Sequence, residues 1–209
     1  MVLNSDAIED AQSSATRAYE ILHNICGRPA VHARFLNTLS LLEHAGSRKI
    51  MLTQSRPGAF LDHGALKHLA EEARHAYFFR RAAESVAGRT LTYSENDLLA
   101  GAHARLYLGR LDVVVTRSVQ GLLAYLYMTL LVELRATWFY NLYQKVLKEL
   151  GSPISLRGVL AEERNHLEGI YARLFDLGED LNVSLPPLKS FEESKYAALL
   201  AALQSSVQN

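Results

Sequence analysis

The sequence predicts an all-α protein. Helix-forming residues dominate its 209 positions, and its 12 glycines and 5 prolines are sparse enough to mark individual breaks. No stretch alternates apolar and polar residues in the manner of a half-buried strand. The phrase Ala-Glu-Glu-x-x-His also occurs twice, once in each half, on stretches with helical periodicity.

The elements follow in order. A first amphipathic helix is predicted from about Asp6 to Ile25, closed by Gly27 and Pro29. A second covers Val31 to Thr53 and ends at the Arg56-Pro57-Gly58 turn. Asp62 is placed to cap a third, from His63 to about Ala87, which stops at Gly88. Ser94-Glu95-Asn96-Asp97 resembles a loose capping signal for a fourth helix, which reaches about Arg117 and either breaks near Gly121 or runs on. A long helix then ends at Gly151, and Ser152-Pro153 supplies a cap and a first-turn proline for the next, which fades near Gly178. Leu185-Pro186-Pro187 reads as a surface connection, and Ser190-Phe191-Glu192-Glu193 as a capping box for a last helix over about residues 190–204.

Bulk properties narrow the function classes. A chain of this length fits a single domain, residues 1–209, with a bundle core at about 31–178. A formal net charge of zero argues against a nucleic-acid binder driven by phosphate neutralisation. One cysteine, Cys26, excludes an intrachain disulfide and any CxxC metal pair, and it is expected to be an inert packed thiol. The N-terminus lacks the basic start and apolar core of a signal peptide, so a cytoplasmic location is expected. The apolar run from Ser118 to Val132 is short for a membrane span and reads as a buried bundle helix. The large apolar residues between Tyr125 and Tyr143 exceed what one helix face can hide, which leaves room for a homodimer.

The chemistry lies in the repeated phrase. Its copies are Ala70-Glu71-Glu72-Ala73-Arg74-His75 and Ala161-Glu162-Glu163-Arg164-Asn165-His166. Each follows a lone glutamate in an apolar stretch, Glu43 lying 29 residues before Glu72 and Glu133 30 residues before Glu163. Positions i and i+3 share a helix face, so Glu72 with His75, and Glu163 with His166, can each grip one metal ion. Glu43 and Glu133, on the partner helices, complete or bridge the pair. Four carboxylates match the charge of two divalent cations, whereas the same cluster without metal in a helical core faces desolvation and mutual repulsion. Carboxylate and imidazole donors suit iron or manganese better than a structural zinc. A lone Glu-x-x-His match means little in a chain with 8 histidines; two, each with its upstream glutamate, are hard to reach by accident.

Neighbouring residues are assigned by helical spacing. Glu71 and Glu162 sit about 100° round the helix from the ligand positions and are expected to be solvated or salt-bridged. His68, four before Glu72, lies on the ligand face and is either a supporting residue or an additional ligand. His44 points away from the Glu43 face; His103 has a structural role or leans over the site; His23, His32 and His63 are surface or boundary residues. Ser40 and Ser47 fall near Glu43, Thr129, Thr137 and Tyr140 near Glu133, and Phe79 and Ile170 one turn beyond the histidines. Together they describe a mostly apolar chamber. Tyr140 is the one further catalytic candidate, as an oxidisable residue, with a buried packing tyrosine as the alternative.

Over about Val31 to Gly178 the chain resembles the ferritin-like di-iron carboxylate proteins: ribonucleotide reductase small subunits, bacterial multicomponent monooxygenases, rubrerythrins and ferritins. The resemblance rests on the six ligand positions. It implies a ferritin-like four-helix bundle, with extra N-terminal, crossover and C-terminal helices, holding two Fe ions, or Mn, or a mixed pair. It also implies Glu43, Glu72 and His75 for one half, Glu133, Glu163 and His166 for the other, and Glu72 and Glu163 as bridges. The 61 residues from Glu72 to Glu133, with their inserted helix, are more similar to the oxygenase and reductase branches, or the tRNA-hydroxylase type, than to ferritin and rubrerythrin.

The expected function is a non-haem di-iron oxidase or oxygenase that activates dioxygen to hydroxylate, desaturate or N-oxygenate a small organic substrate. Its electrons would come from a separate reductase or from the substrate, since no cysteine cluster or Gly-rich dinucleotide loop is present. The alternatives are a rubrerythrin- or ferritin-like peroxidase or ferroxidase, and a non-catalytic bundle with a structural metal pair.

Overall fold

A computed structural model describes residues 5–54 and 63–208 and contains no strand among them. Among the described residues seven helices follow one another: α1 (Ser5–Cys26), α2 (Pro29–Gln54), α3 (His63–Ala87), α4 (Gly101–Ser118), α5 (Gly121–Glu149), α6 (Arg157–Asp176) and α7 (Leu181–Gln208). A 3₁₀ turn, Glu95–Asp97, lies in the crossover before α4. The Arg56-Pro57-Gly58 turn and the Asp62 cap lie outside the described residues.

Two antiparallel hairpins carry the site. In α2–α3, the Ser40 hydroxyl donates to the Ala76 carbonyl at 2.7 Å, and Arg80 donates to Asn37 at 2.9 Å, so residue numbers on the two helices run in opposite directions. In α5–α6 the Leu156 amide donates to Gln144 at 2.6 Å, and Gly151, at φ 64°, turns the chain out of α5 in a conformation glycine adopts without a Cβ penalty. The crossover from α3 to α4 is tied down on α2. Asn37 donates to the carbonyls of Thr92 and Asp97 at 2.7 and 2.9 Å, Thr38 to that of Leu99 at 3.0 Å, and Arg34 to that of Leu98 at 2.8 Å. These bonds satisfy backbone groups that a buried loop would leave unpaired.

Helix α5 is the axis of the molecule and packs on α1, α4, α6 and α7. By length and composition it could cross a membrane, yet it holds a buried carboxylate and much of it is covered by the other helices. Tyr125, Leu126, Tyr127, Leu130, Leu131, Phe139, Tyr140 and Tyr143 are all buried. Met128, Val132, Leu134, Trp138 and Leu142 of the same stretch are only partly buried.

Three boundary expectations are corrected. Helix α6 begins at Arg157 rather than at Ser152-Pro153, because the Ser152 amide still closes the end of α5 through the Leu147 carbonyl at 2.9 Å. Ser94 makes no side-chain cap bond; Asp97 instead accepts from the Thr92 amide at 2.8 Å and from Arg89 at 2.6 Å. Leu185-Pro186-Pro187 is no surface connection, since both prolines lie inside α7, which starts at Leu181 and not near residue 190. A proline in a helix interior forfeits a backbone bond and costs about 3 kcal/mol. Against that cost, Asp180 caps the first turn by accepting from the Asn182 amide at 3.0 Å, and Tyr127 bonds both Glu179 and Ser184 at 2.5 Å. The buried face Leu188, Tyr196, Leu199, Leu200, Leu203 and Val207 then docks α7 on the core.

Candidate metal centre

All six sequence-predicted ligands meet in the middle of the two hairpins. Their carboxylate and ring atoms form two adjacent groups, Glu43, Glu72, His75 and Glu163 in one, and His68, Glu72, Glu133 and His166 in the other. Within each group the ligand atoms lie within 4.8 Å of one another. Glu72 belongs to both groups and is the natural bridge. Glu163 spans them as well, its Oε1 lying 3.2 Å from His75 Nδ1 and its Oε2 3.3 Å from His166 Nδ1.

His68 joins the site as a third imidazole. Its Nε2 is 3.0 Å from Glu133 and 3.5 Å from Glu72, and its Nδ1 is 3.1 Å from the Tyr125 hydroxyl. Each hairpin thus contributes to both groups: Glu43 and His75 fall in one, Glu133 and His166 in the other, Glu72 is shared, and His68 is added to the second.

Of the two forms expected for Glu71 and Glu162, solvated or salt-bridged, both take the second. Glu162, on α6, accepts from Nε2 of His75 on α3 at 2.7 Å; Glu71, on α3, accepts from Nε2 of His166 on α6 at 3.0 Å. The pairing is crossed. It turns Nδ1 of both rings inward, toward the other carboxylates, and a carboxylate behind a ligating imidazole fixes both ring angle and tautomer. Arg74 holds Glu162 in turn at 2.6 Å. The sequence signal lay in the doubled glutamate of both phrases; what each residue reaches on the other hairpin is invisible along one helix.

Tyr140 is buried and donates a hydrogen bond to Glu43. Burial, together with the charges of Glu43 and Glu163, raises its pKa well above the ordinary tyrosine value, so it remains a hydroxyl donor. His32 is buried rather than at the surface or boundary; its Nε2 shares a hydrogen bond with the Tyr143 hydroxyl at 2.5 Å, and burial lowers its pKa to about 4. Burial pushes the Cys26 thiol up to about 12, consistent with the inert thiol expected. His23, His44, His63 and His103 are exposed.

The electrostatics of the cluster are those of a cation site. Burial raises the pKa of Glu43, helped by the charges of Glu72 and Glu163. Burial and the neighbouring Glu163 push Glu133 up to about 8. Burial also opposes ionisation of Glu163, but hydrogen bonds from Glu133, His166 and His75 outweigh it and hold that carboxyl low. Burial works against the charged forms of His68 and His166 too, yet hydrogen bonds to the glutamates raise them to about 9 and about 11. Imidazolium and carboxyl protons here offset the charge that metal ions would otherwise balance.

The residues fit a metal pair. Glu72 Oε1 and His75 Nδ1 are buried and face the cluster with only long or poorly aligned contacts, to His68 at 3.5 Å and to Glu163 at 3.2 Å, so both atoms are placed for a cation to use. Gly46 on α2 leaves room for this arrangement, because a Cβ there would stand 3.1 Å from Glu72 Oε2. A cavity of about 300 Å³ opens beside the cluster, touching Glu43, Glu72, Glu133, Glu163 and His68 and walled mostly by apolar side chains of α2, α4, α5 and α7. No family model, curated protein or solved structure matches the chain, so its functional reading rests on this geometry.

Proposed function

We propose that the protein is a non-haem di-iron oxidase or oxygenase of ferritin-like type, which oxidises a small organic substrate in the chamber beside the cluster. The observation that carries this reading is the pair of ligand groups sharing Glu72, set against an apolar cavity. Two hairpins, each giving a glutamate and a Glu-x-x-His, form the ligand pattern by which bundles hold two metals. Glu43, Glu72, Glu133, Glu163, His68, His75 and His166 would hold the ions, with manganese or a mixed pair as the variants of iron. The metal pair would supply the dioxygen and one-electron chemistry that no side chain present can perform.

The rest of the chemistry belongs to the chain. Glu71 and Glu162 keep the imidazoles aimed inward. Tyr140 holds its proton on the Glu43 side and so limits how Glu43 can turn. The apolar walls exclude bulk water and orient the substrate. Electrons come from a separate reductase or from the substrate. A ferroxidase or peroxidase needs no apolar chamber of this size, and a purely structural metal pair needs none, so the oxygenase is preferred to both.

Metal content per chain, followed by mixing the anaerobic ferrous form with oxygen in an optical stopped-flow, tests the proposal. About two irons and a transient visible band are expected. Two metals with no response to oxygen would leave a structural or manganese-specific pair, and absence of any metal uptake would remove the centre itself.

A further inference from the structure

The chamber beside the cluster adjoins an outer cleft, also about 300 Å³, and the two share Lys49, Asp112 and Tyr125. A molecule passing from cleft to chamber therefore meets the Lys49–Asp112 ion pair, 2.6 Å long and about one-third exposed on each side. Tyr125 connects this gate to the centre through its contact with His68 at 3.1 Å.

Besides His68 of the cluster, a lysine and an arginine line the chamber, and they differ. Arg135 is committed: its Nε and Nη2 bind the buried Glu192 at 2.8 and 2.6 Å, and its guanidinium lies over Tyr196 and Trp138 at 4.1 and 5.0 Å. Lys49 meets Asp112 through one contact at the end of a flexible four-carbon stem. That stem can carry the ammonium several ångströms toward an incoming group, a reach the short Asp112 side chain lacks. The gate thus favours an anionic head group over a cationic one.

We propose that the chamber takes a medium-chain carboxylate: an apolar tail in the cavity, with its carboxylate exchanged for Asp112 on Lys49. The volume sets the size, because at roughly 30 Å³ per heavy atom a cavity of 300 Å³ holds about ten. Lys49 lies six residues beyond Glu43 on α2, about 9 Å along the helix axis. A head group held there lays the carbon chain, not the carboxylate, beside Glu43 and Glu72. The assignment of the chain as the oxidised part rests on the proposed oxygenase reading; the binding itself does not.

Calorimetric titration of the full chain, metal-free and metal-loaded, with octanoate, octan-1-ol and octylamine is the test. Octanoate should bind both forms, and Lys49→Met should weaken it about tenfold while leaving octan-1-ol unchanged. Ala136 on α5 and Leu108 on α4 line the cavity; Ala136→Phe, which fills it, should abolish binding of octanoate with helix content and metal uptake retained, and Leu108→Trp serves if that variant does not fold. Octan-1-ol or octylamine binding as tightly as octanoate, or indifference to Lys49→Met, would overturn the head-group assignment. Octanoate binding only to the metal-loaded form would also overturn it, by placing the carboxylate on the metals. Failure of all three probes to bind removes the chamber proposal even where two metals are found, and a metal-free protein that still binds octanoate separates this inference from the metal reading.

Discussion

At the scale of single residues, the crossed pairs give the sharpest expectations. Glu162→Gln and Glu71→Gln keep the shape of the side chain but lose the charge behind His75 and His166. Each should lower affinity for one of the two metals by about ten- to a hundredfold, read by competition with a chelator, while the other metal stays near its original affinity. Equal weakening of both, or of neither, would contradict the assignment of the two groups. Gly46→Ala makes a different demand. Alanine in a helix interior is favoured over glycine by about 1 kcal/mol, yet the added Cβ crowds Glu72 Oε2 from 3.1 Å. The metal-free protein should melt higher and bind metal more weakly, a pair of opposite signs that calorimetry and metal titration can separate.

At the scale of elements, α7 is held by one buried charge pair as well as by its apolar face. Glu192 is 3% exposed and takes both Arg135 and the Tyr107 hydroxyl, at 2.5 Å. Glu192→Ala leaves Arg135 without its carboxylate and should cost about 3–5 kcal/mol in chemical denaturation; a loss below 1 kcal/mol would show that α7 docks by its apolar face alone. The elements also show what the sequence made legible. Helix α3 follows its predicted bounds because glycine stops it and its apolar face is regular. Helix α7 escaped because Pro186 and Pro187 are read locally as breakers, whereas capping by Asp180 and the hold of Tyr127 on Glu179 and Ser184 come from parts of the chain that local pattern does not join. The six ligand positions were legible for the opposite reason: their spacing repeats along the chain. The roles of Glu71 and Glu162 were not, since their partners are 95 and 87 residues away.

At the scale of the whole molecule, protons and metal ions compete for one cluster. In the folded metal-free protein, Glu133 titrates near 8 instead of 4.5 and His68 near 9 instead of 6.5. Both groups hold protons that the unfolded chain releases, so their contribution to stability is present at low pH and is lost as pH rises through about 8 and 9. His32 acts the other way, its contribution being lost as pH falls from 6.5 through about 4. The melting temperature of metal-free protein should therefore decline from about pH 6.5 to 9. Metal affinity should climb over the same range, because binding must displace those protons. Melting curves and proton release on metal addition read the two trends; a metal-free protein that gains stability toward pH 9 would show that the cluster is not protonated as described.

The crossed pairing has an evolutionary consequence. Since the imidazole of one hairpin is steered by the acid of the other, neither copy of the repeat is a free-standing unit that could be lost, swapped or mutated alone. Any lineage descended from a common ancestor with this chain should show positions 71 with 166, and 75 with 162, changing as couples, so that the history of one hairpin is written into the other.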